Sequence, residues 1–365
     1  MLQGHGGVSR RPRVLMLGTD SKGRGGIATV VSLLRQHGLF EREGVDYVTT
    51  HAEGATPRKI GVFLRGVGGA LACLARRPAV VHVHAASRGS FVRKSLLLAL
   101  ARARGCKTVF HLHGACFDDF VAGSGRLMRR WIRHTLEHSS IVIALSGRWA
   151  DFLRGVAPGA HVVVIQNSVP LPPVRGDDVV QPGRVLFLGQ VEARKGIDEL
   201  LQALSLLRAR FPQVQLAIGG QGELERIRKR AAELGVLERV TLLGWVTAER
   251  KQDELARAAV FCLPSHAEGL PMAMLEAMAA GKAVVVSGVG GILDAVQDGV
   301  NGLVVQAGDA QDLAEGLARI LGDSALRRRL GARARSTIAE RFESGAVAEQ
   351  ISAVYQQLRN KRGEM

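Results

Sequence analysis

Short runs of apolar residues recur through the first half of the chain, and longer stretches with helical periodicity fill the gaps between them. Each run is continuous and rich in β-branched residues, which is typical of a strand in a parallel sheet that is covered on both faces. The runs are residues 13–18, 79–85, 107–114, 139–146 and 161–167. Residues 25–38 predict the first helix, which opens with glycines and closes at a glycine.

The same alternation restarts after a stretch that breaks it. Residues 170–183 contain four prolines, which predicts a linker. Further apolar runs follow at residues 184–189, 215–220, 239–244, 260–264, 283–287 and 302–305. The pattern predicts an α/β protein with a first domain over 1–172, a linker over 173–183, a second domain over 184–342 and a C-terminal helix over 343–365 packed back on the first domain. Because ligands bind at the carboxyl ends of strands in such sheets, we expect the site between the two domains.

The basic excess of the chain lies in its first half. Residues 1–175 hold 25 Lys and Arg against 9 Asp and Glu, the rest is balanced, and the net charge is +16. Either an anionic partner binds this half or its solvated faces are simply basic. Residues 125–138 place four arginines around four apolar residues. As a helix this segment would suit an anionic membrane surface, the alternative being core packing with solvated arginines.

No feature of the sequence predicts secretion or a membrane span. The four cysteines form no C-x-x-C pair and no zinc spacing, which favours reduced thiols in the cytosol. Residues 1–13 lack the apolar core of a signal peptide. Residues 60–75 contain Arg65 and are shorter than the ~20 apolar residues that a span needs. We expect a cytoplasmic protein, located at the inner face of the cell membrane if the basic helix binds lipid.

The stretch PSHAEGLPMAMLEAMAAG carries two glutamates, Glu268 just before a predicted helix and Glu276 within it. Pro271 suits the first position of that helix. The positive end of the helix, with the N–H groups of Gly269 and Leu270, attracts an anion such as a phosphate. A carboxylate at Glu276 suits the vicinal hydroxyls of a ribose. Because its neighbours are almost all apolar, Glu276 needs a partner.

This stretch resembles the signature of family 4 of the retaining glycosyltransferases, in which E-G-L-P precedes a helix with a second glutamate at E-x7-E spacing. Five other segments resemble that family in the correct order, namely residues 23–31, 111–114, 164–170, 186–204 and 289–305. The resemblance covers nearly the whole chain. It implies the GT-B fold, with two facing Rossmann-like domains around a deep cleft, and a nucleoside diphosphate sugar as donor.

The resemblance also implies roles for individual residues. Glu268 would contact hydroxyls of the transferred sugar, His113 would lie beside that sugar, and Arg194 and Lys195 would bind the diphosphate, where fixed cations stabilise the developing negative charge. The implied donor-binding residues are Gly25, Gly26, Gly189, Gln190, Gly244, Asn167, Gly269, Leu270 and Glu276, the last of which would hold the ribose. The N–H groups of the two N-terminal glycines would approach the diphosphate, an approach that only glycine permits.

Two departures from the family pattern affect this assignment. Gln190 stands where the family often has arginine, and Leu293-Asp294 stands where it often has Pro-Glu.

The chain has no D-x-D motif, so we expect no metal and no cofactor beyond a UDP-sugar or GDP-sugar donor.

The other strand histidines are not expected to contact the transferred sugar. His111 is expected on the face of its strand opposite to His113. His82 and His84 are expected to be structural or to line the pocket wall.

The resemblance implies that the anomeric configuration is retained. No carboxylate stands out as the nucleophile of a double displacement, so we expect same-face attack by the acceptor. The implied acceptor is a glycan or lipid-linked glycan in cell-surface polysaccharide assembly. The alternatives are a sugar-nucleotide epimerase of similar architecture, which needs no acceptor, and a basic nucleic-acid-binding protein. Aromatic residues at 4% and the lack of a recognised motif disfavour nucleic acid as a partner. A dinucleotide oxidoreductase is disfavoured because GTDSKGRGG does not fit G-x-G-x-x-G.

Overall fold

The computed structural model describes residues 13–21, 23, 25–51, 56–173 and 175–360. Within these residues the chain divides into two compact units. The first unit comprises the chain up to Leu145, then Ala150–Ile165 and the segment from Gly345 onward; the second comprises Ser146–Trp149 and Gln166–Ser344. The prediction that residues 1–13 contain no signal peptide concerns residues that, except for Arg13, lie outside the described part.

A parallel sheet of six described strands forms the first unit. The strands are β1 (Val14–Thr19), β2 (Val45–His51), β3 (Val80–Ala85), β4 (Lys107–Leu112), β5 (Ile141–Ala144) and β6 (Val162–Val164), in the spatial order β2-β1-β3-β4-β5-β6. The helices are α1 (Gly26–Gln36), α2 (Leu39–Glu43), α3 (Thr56–Ala75), α4 (Gly89–Ala103), α5 (Phe117–Ala122), α6 (Arg126–Glu137) and α7 (Gly147–Val156), and the residues of α7 up to Trp149 belong to the second unit. The central strands β3, β4 and β5 are almost entirely buried, as their continuous apolar runs predict.

The sequence pattern missed β2. This strand reads VDYVTTH, mixes polar with apolar residues, and lies at the edge of the sheet with most of its side chains partly exposed. An edge strand pairs on one side only, so it does not need the continuous apolar run by which the other strands were predicted.

The second unit repeats the architecture. Its strands are β7 (Arg184–Leu188), β8 (Gln215–Gly219), β9 (Val240–Gly244), β10 (Val260–Leu263), β11 (Val284–Ser287) and β12 (Leu303–Val305), in the order β12-β11-β10-β7-β8-β9. The helices are α8 (Ile197–Leu207), α9 (Leu224–Glu233), α10 (Ala248–Arg257), α11 (Met272–Ala279), α12 (Ile292–Ala295), α13 (Ala310–Gly322) and α14 (Ser324–Arg341). Strands β10 and β7 are neighbours, so the loops at their carboxyl ends meet at one edge of the sheet.

The boundary between the units differs from the predicted one. It falls between Ile165 and Gln166, not at 172, and the proline-rich stretch belongs to the second unit. Hydrogen bonds explain the difference: the Asn167 side chain donates to Leu270 O at 2.7 Å and Val169 N donates to Phe342 O at 3.0 Å.

The C-terminal helix α15 (Ser344–Asn360) belongs to the first unit from Gly345 onward. Its Tyr355 is wholly buried. Glu43 at the end of α2 accepts a hydrogen bond from Ser352 Oγ and pairs with Arg359. No helix among the described residues is both long and apolar enough to cross a membrane.

Candidate active site

Glu268 is held inside the loop that leads from β10 to α11. Its carboxylate Oε1 accepts a hydrogen bond from Ser265 Oγ at 2.7 Å and lies 2.5 Å from Lys195 Nζ. The two charged side chains are only 6% and 12% exposed, respectively. Glu268 is therefore part of a desolvated ion pair, not a surface carboxylate at a helix start.

Lys195 reaches this position from the loop after β7. Residues Ala193–Lys195 form one turn of 3-10 helix, which ends at Gly196 with φ of 69°. A Cβ at Gly196 would lie 1.9 Å from Pro264 O, so only glycine fits where the two loops cross. This close crossing is what sets Lys195 against Glu268.

Arg194 ties the same two loops together. Its Nη1 donates to Ala267 O at 2.6 Å and its Nη2 pairs with Glu192 Oε1 at 2.5 Å. His266 N in turn donates to Arg194 O at 2.9 Å. In this state the guanidinium positions the loop that carries Glu268, a role that sequence reasoning missed, and its contact with a diphosphate stays a prediction.

The loop after β11 closes over the backbone of the Glu268 loop. Gly291 N donates to Gly269 O at 2.7 Å. Gly290 has φ of 54°, and a Cβ there would lie 1.8 Å from Glu268 O. Asp294, at the position where the family often has glutamate, accepts a hydrogen bond from Gly147 N at 2.7 Å within the same unit. Asp294 thus satisfies a backbone N–H at the start of α7.

Glu276 has the partner that its apolar surroundings demand. Lys251 Nζ on α10 lies 2.5 Å from Glu276 Oε1, and both side chains are largely buried. Sequence reasoning missed Lys251, because AERKQDELAR looks like an ordinary solvated charged helix. The position of α11 differs slightly from expectation, since Pro271 is the residue before the first helical residue Met272.

The remaining predicted donor-binding residues of this unit shape the loops around the site. Asn167 holds the Leu270 carbonyl just before α11. Gly189 N donates to Gly219 O at 2.9 Å, and Gly244 O accepts from Gly220 N at 2.7 Å, so these glycines join the ends of β7, β8 and β9. Gln190, also predicted to bind the donor, is exposed. Their contacts with a nucleotide stay predictions.

In the first unit, the predicted glycine loop opens helix α1; its Arg24 lies outside the described residues. Gly25 has φ of 132° and precedes Gly26, the first helical residue. A Cβ on Gly25 would meet nothing within 4 Å. Within this unit the backbone angle, and not a close neighbour, accounts for glycine at this position.

His113 lies just past β4 and is partly buried. Its Nε2 is 2.8 Å from His84 Nδ1, and its N–H donates to Ala85 O at 2.7 Å. Burial, with the nearby charge of Lys94 as a second cause, lowers the pKa of His113 to about 3. The ring is therefore neutral near pH 7 and can donate or accept one hydrogen bond at each nitrogen.

The expectation for His111 is wrong. Residues two apart on a strand point to the same face, and the rings of His111 and His113 are only 4.1 Å apart between centroids. His84 is the register partner of His111 on the neighbouring strand, and their rings are 5.1 Å apart. The histidines of β3 and β4 therefore form one cluster on one face of the sheet.

Comparison with known proteins identifies the family of the chain. Residues 179–337 match the family model described as glycosyl transferases group 1, and residues 6–168 match the glycosyl transferase 4-like domain. A phosphatidyl-myo-inositol mannosyltransferase of Mycolicibacterium smegmatis is 36% identical over 284 residues, which cover 76% of this chain and 70% of that protein. The chain belongs to this glycosyltransferase family. A second relative of the glycosyltransferase, glycogen synthase of Mycobacterium tuberculosis, is 28% identical over 79% of this chain and 70% of its own length.

Solved structures resemble the glycosyltransferase over most of its length. The sucrose-phosphate synthase of Thermosynechococcus elongatus gives a TM-score of 0.78 at 22% identity, covering 95% of this chain and 99% of that one. Anabaena HepE in complex with UDP and glucose gives 0.75 at 19% identity, covering 94% and 99%. These likenesses confirm the predicted fold class, an α/β protein with two Rossmann-like domains of the GT-B type.

Proposed function

We propose that the protein is a retaining hexosyltransferase that moves a sugar from a nucleoside diphosphate sugar to a glycan or lipid-linked acceptor in cell-surface polysaccharide assembly. The observation that carries the proposal is the desolvated pair of Lys195 and Glu268 beside Arg194, at the carboxyl ends of β7 and β10. A pair of this kind, set in loops fixed by close backbone contacts, supplies cations and a carboxylate where a charged donor is cleaved.

The donor is proposed to bind with its diphosphate at Lys195 and Arg194. The departing phosphate oxygens gain negative charge as the sugar–phosphate bond breaks, and these cations stabilise that charge. Glu268 would accept hydrogen bonds from hydroxyls of the transferred sugar through the carboxylate oxygen that faces away from Lys195. Glu276 would bind the ribose hydroxyls while Lys251 holds its other oxygen.

The transfer is proposed to occur by same-face attack without a metal ion. The acceptor hydroxyl would approach the anomeric carbon on the side from which the diphosphate leaves, and the departing phosphate oxygen would take its proton. The configuration at the anomeric carbon would then be retained. NMR of the first-formed product would show the donor's configuration in the presence of a chelator; an inverted product would contradict this mechanism.

A UDP-sugar or a GDP-sugar is the proposed donor. Structures of similar fold have been solved with UDP and with UDP-glucose, which supports a nucleoside diphosphate. The direct test is thermal shift with EDTA present, against UDP, GDP, ADP, CDP and their sugars, since tight binding to the native state raises Tm. We expect one base to stabilise the protein by several degrees and Glu276→Gln to abolish that shift. The exposed Glu225 of the same unit provides a matched control, Glu225→Gln; no shift with any nucleotide would contradict the proposal.

The acceptor is proposed to be lipid-linked. The basic helix α6 is proposed to bind the anionic inner face of the cell membrane. A relative whose name contains phosphatidyl-myo-inositol supports a lipid acceptor. Leu127 is 86% exposed and Arg126 and Arg130 are exposed beside it, whereas Ile132 is wholly buried. Because Leu127 is the strongly exposed apolar side chain of this part of α6, we expect membrane binding to depend mainly on charge and to weaken as salt is added.

Vesicle sedimentation tests the membrane proposal. The protein should bind vesicles containing phosphatidylglycerol more tightly than vesicles of phosphatidylcholine alone. Arg130→Glu should weaken that binding, while Arg228→Glu, at an exposed arginine of the second unit, should have little effect. Equal binding to both kinds of vesicle would contradict the proposal and leave the donor assignment untouched.

A further inference from the structure

Three buried histidines of the first unit lie together on one face of its sheet. His82 and His84 stand two residues apart on β3, and His111 is the register partner of His84 on β4. All three are at most 1% exposed. One nitrogen from each ring can be chosen so that the three atoms lie within 4.8 Å of one another. The donor site described above uses none of these three side chains.

The hydrogen bonds of the cluster leave specific nitrogens without a partner. His82 Nδ1 lies 2.5 Å from Tyr355 Oη, and His84 Nδ1 lies 2.8 Å from His113 Nε2. In contrast, Nε2 of both His82 and His84 is buried without a partner, and so are both nitrogens of His111. If each partnered Nδ1 carries the proton and donates it, the unpartnered Nε2 atoms expose lone pairs.

This division is the one found around protein-bound metals. A metal-ligating histidine uses one nitrogen for the ion and donates a hydrogen bond from the other, which fixes the tautomer and the ring orientation. Tyr355 and His113 occupy that second position for His82 and His84. Three imidazole nitrogens with no carboxylate suit zinc and the neighbouring late transition metals and not magnesium or calcium.

We propose that His82, His84 and His111 bind one zinc-class divalent metal ion that fastens β3 to β4 and takes no part in sugar transfer. The sequence predicts no metal because the chain has no D-x-D motif, and His82 and His84 are expected from it to be structural or to line the pocket wall. Ligand nitrogens around tetrahedral zinc lie about 3.4 Å apart. The His82 ring is stacked on those of His84 and His111, with interplanar angles of 22° and 19°. Binding the ion therefore requires the rings to turn until their in-plane lone pairs converge. A water molecule would complete the coordination, while His113 stays the partner of His84 Nδ1.

One nearby charge opposes a cation at this place. Lys94 is buried, and its Nζ donates to Thr50 Oγ1 at 2.7 Å. Burial is the main cause of the lowered pKa of His84 and of His113, and the charge of Lys94 contributes to both. Lys94→Met should therefore tighten zinc binding several-fold, and weaker binding in that variant would contradict an ion at the cluster.

The proposal is tested on the tag-free full-length protein. We expect one zinc ion per chain by mass spectrometry of the metal, removal by a strong chelator, and a Tm that rises by several degrees when zinc is returned. Cobalt(II) in place of zinc should give the intense visible absorption of a tetrahedral nitrogen site. Zinc far below one ion per chain, together with no response of Tm to zinc, cobalt or nickel, would overturn the proposal.

Variants locate the ion. His111→Leu should remove the zinc and its effect on Tm, whereas His161→Leu, at an exposed histidine of the same unit, should retain both. If His111→Leu does not fold, Tyr355→Phe serves instead, because it removes only the partner of His82 Nδ1 and should weaken zinc binding about 10–100-fold. Zinc affinity unchanged in Tyr355→Phe, or one zinc per chain retained by a folded His111→Leu, would overturn the assignment.

Discussion

The desolvated pair of Lys195 and Glu268 makes a quantitative prediction about stability. Replacing Lys195 with Met removes the cation and leaves a carboxylate that is only 6% exposed, with Ser265 as its remaining side-chain partner. Removing one member of a buried ion pair costs about 3–5 kcal/mol, because the other charge stays buried without compensation. Since the Ser265 hydrogen bond remains, we expect the lower end, about 3 kcal/mol.

The double variant separates this explanation from simple loss of packing. Lys195→Met combined with Glu268→Gln removes the uncompensated charge, so it should be less destabilised than the sum of the two single variants by about 1–3 kcal/mol. An exposed pair gives the matched control. Arg175 and Asp253 lie 2.6 Å apart but are 52% and 50% exposed, so Arg175→Met should cost about 0–1 kcal/mol.

The assay is urea unfolding followed by tryptophan fluorescence. The chain has three tryptophans, of which Trp149 and Trp245 belong to the second unit. In a Trp131→Phe background the signal therefore reports the unit that contains the pair. If Lys195→Met costs no more than Arg175→Met, or if the double variant costs the full sum, the pair is not desolvated as described.

Three further predictions concern single positions. Gly290→Ala should lower donor affinity at least tenfold and lower the free energy of unfolding by several kcal/mol, since its Cβ would lie 1.8 Å from Glu268 O. The control is Gly299→Ala, where φ is similar but nothing lies within 4 Å of the added Cβ, and it should lower the free energy of unfolding by only about 1 kcal/mol. Lys251→Ala should destabilise the fold by about 1–3 kcal/mol and raise the KM for the donor, because Glu276 loses its partner. Urea unfolding and initial rates measure the two effects, and an unchanged KM would contradict the ribose assignment. Burial lowers the pKa of Lys94 to about 7 from 10.5. Between those pH values the unfolded chain binds more protons than the folded one, so the free energy of unfolding should rise by up to about 1.4 kcal/mol per pH unit. Unfolding measured at pH 7 and at pH 9 should show this rise in the unmodified protein and not in Lys94→Met.

Strands that sit deep in a parallel sheet could be predicted because burial on both faces forces a continuous apolar run. Edge strand β2 could not, since one exposed side permits the polar residues of VDYVTTH. The unit boundary was missed for a different reason. Prolines at 170–183 favour an irregular backbone, but whether such a segment joins one unit depends on hydrogen bonds such as that from Val169 N to Phe342 O.

The candidate site shows a similar division. The spacing of Glu268 and Glu276 along the chain, and the need of Glu276 for a partner, could be recognised in the sequence. The identity of that partner could not, because Lys251 comes from a helix 25 positions away whose sequence looks wholly solvated. The role of Arg194 as a tie between two loops also depends on a contact, with Ala267 O, that only the fold brings about.

Helix α15 belongs to the first unit although it follows the second unit along the chain, and this order affects how the first unit folds during synthesis. Residues 166–344 leave the ribosome before Tyr355 and Arg359 do, so the second unit can begin to fold while those residues are still inside the ribosome. Until those residues appear, His82 lacks the phenol and Glu43 lacks its cation, so the first unit is left with polar groups that only α15 satisfies. The part of the protein made first is thus completed last. A nascent chain halted before residue 345 would present an unfinished first unit to chaperones and proteases, even with a fully formed second unit.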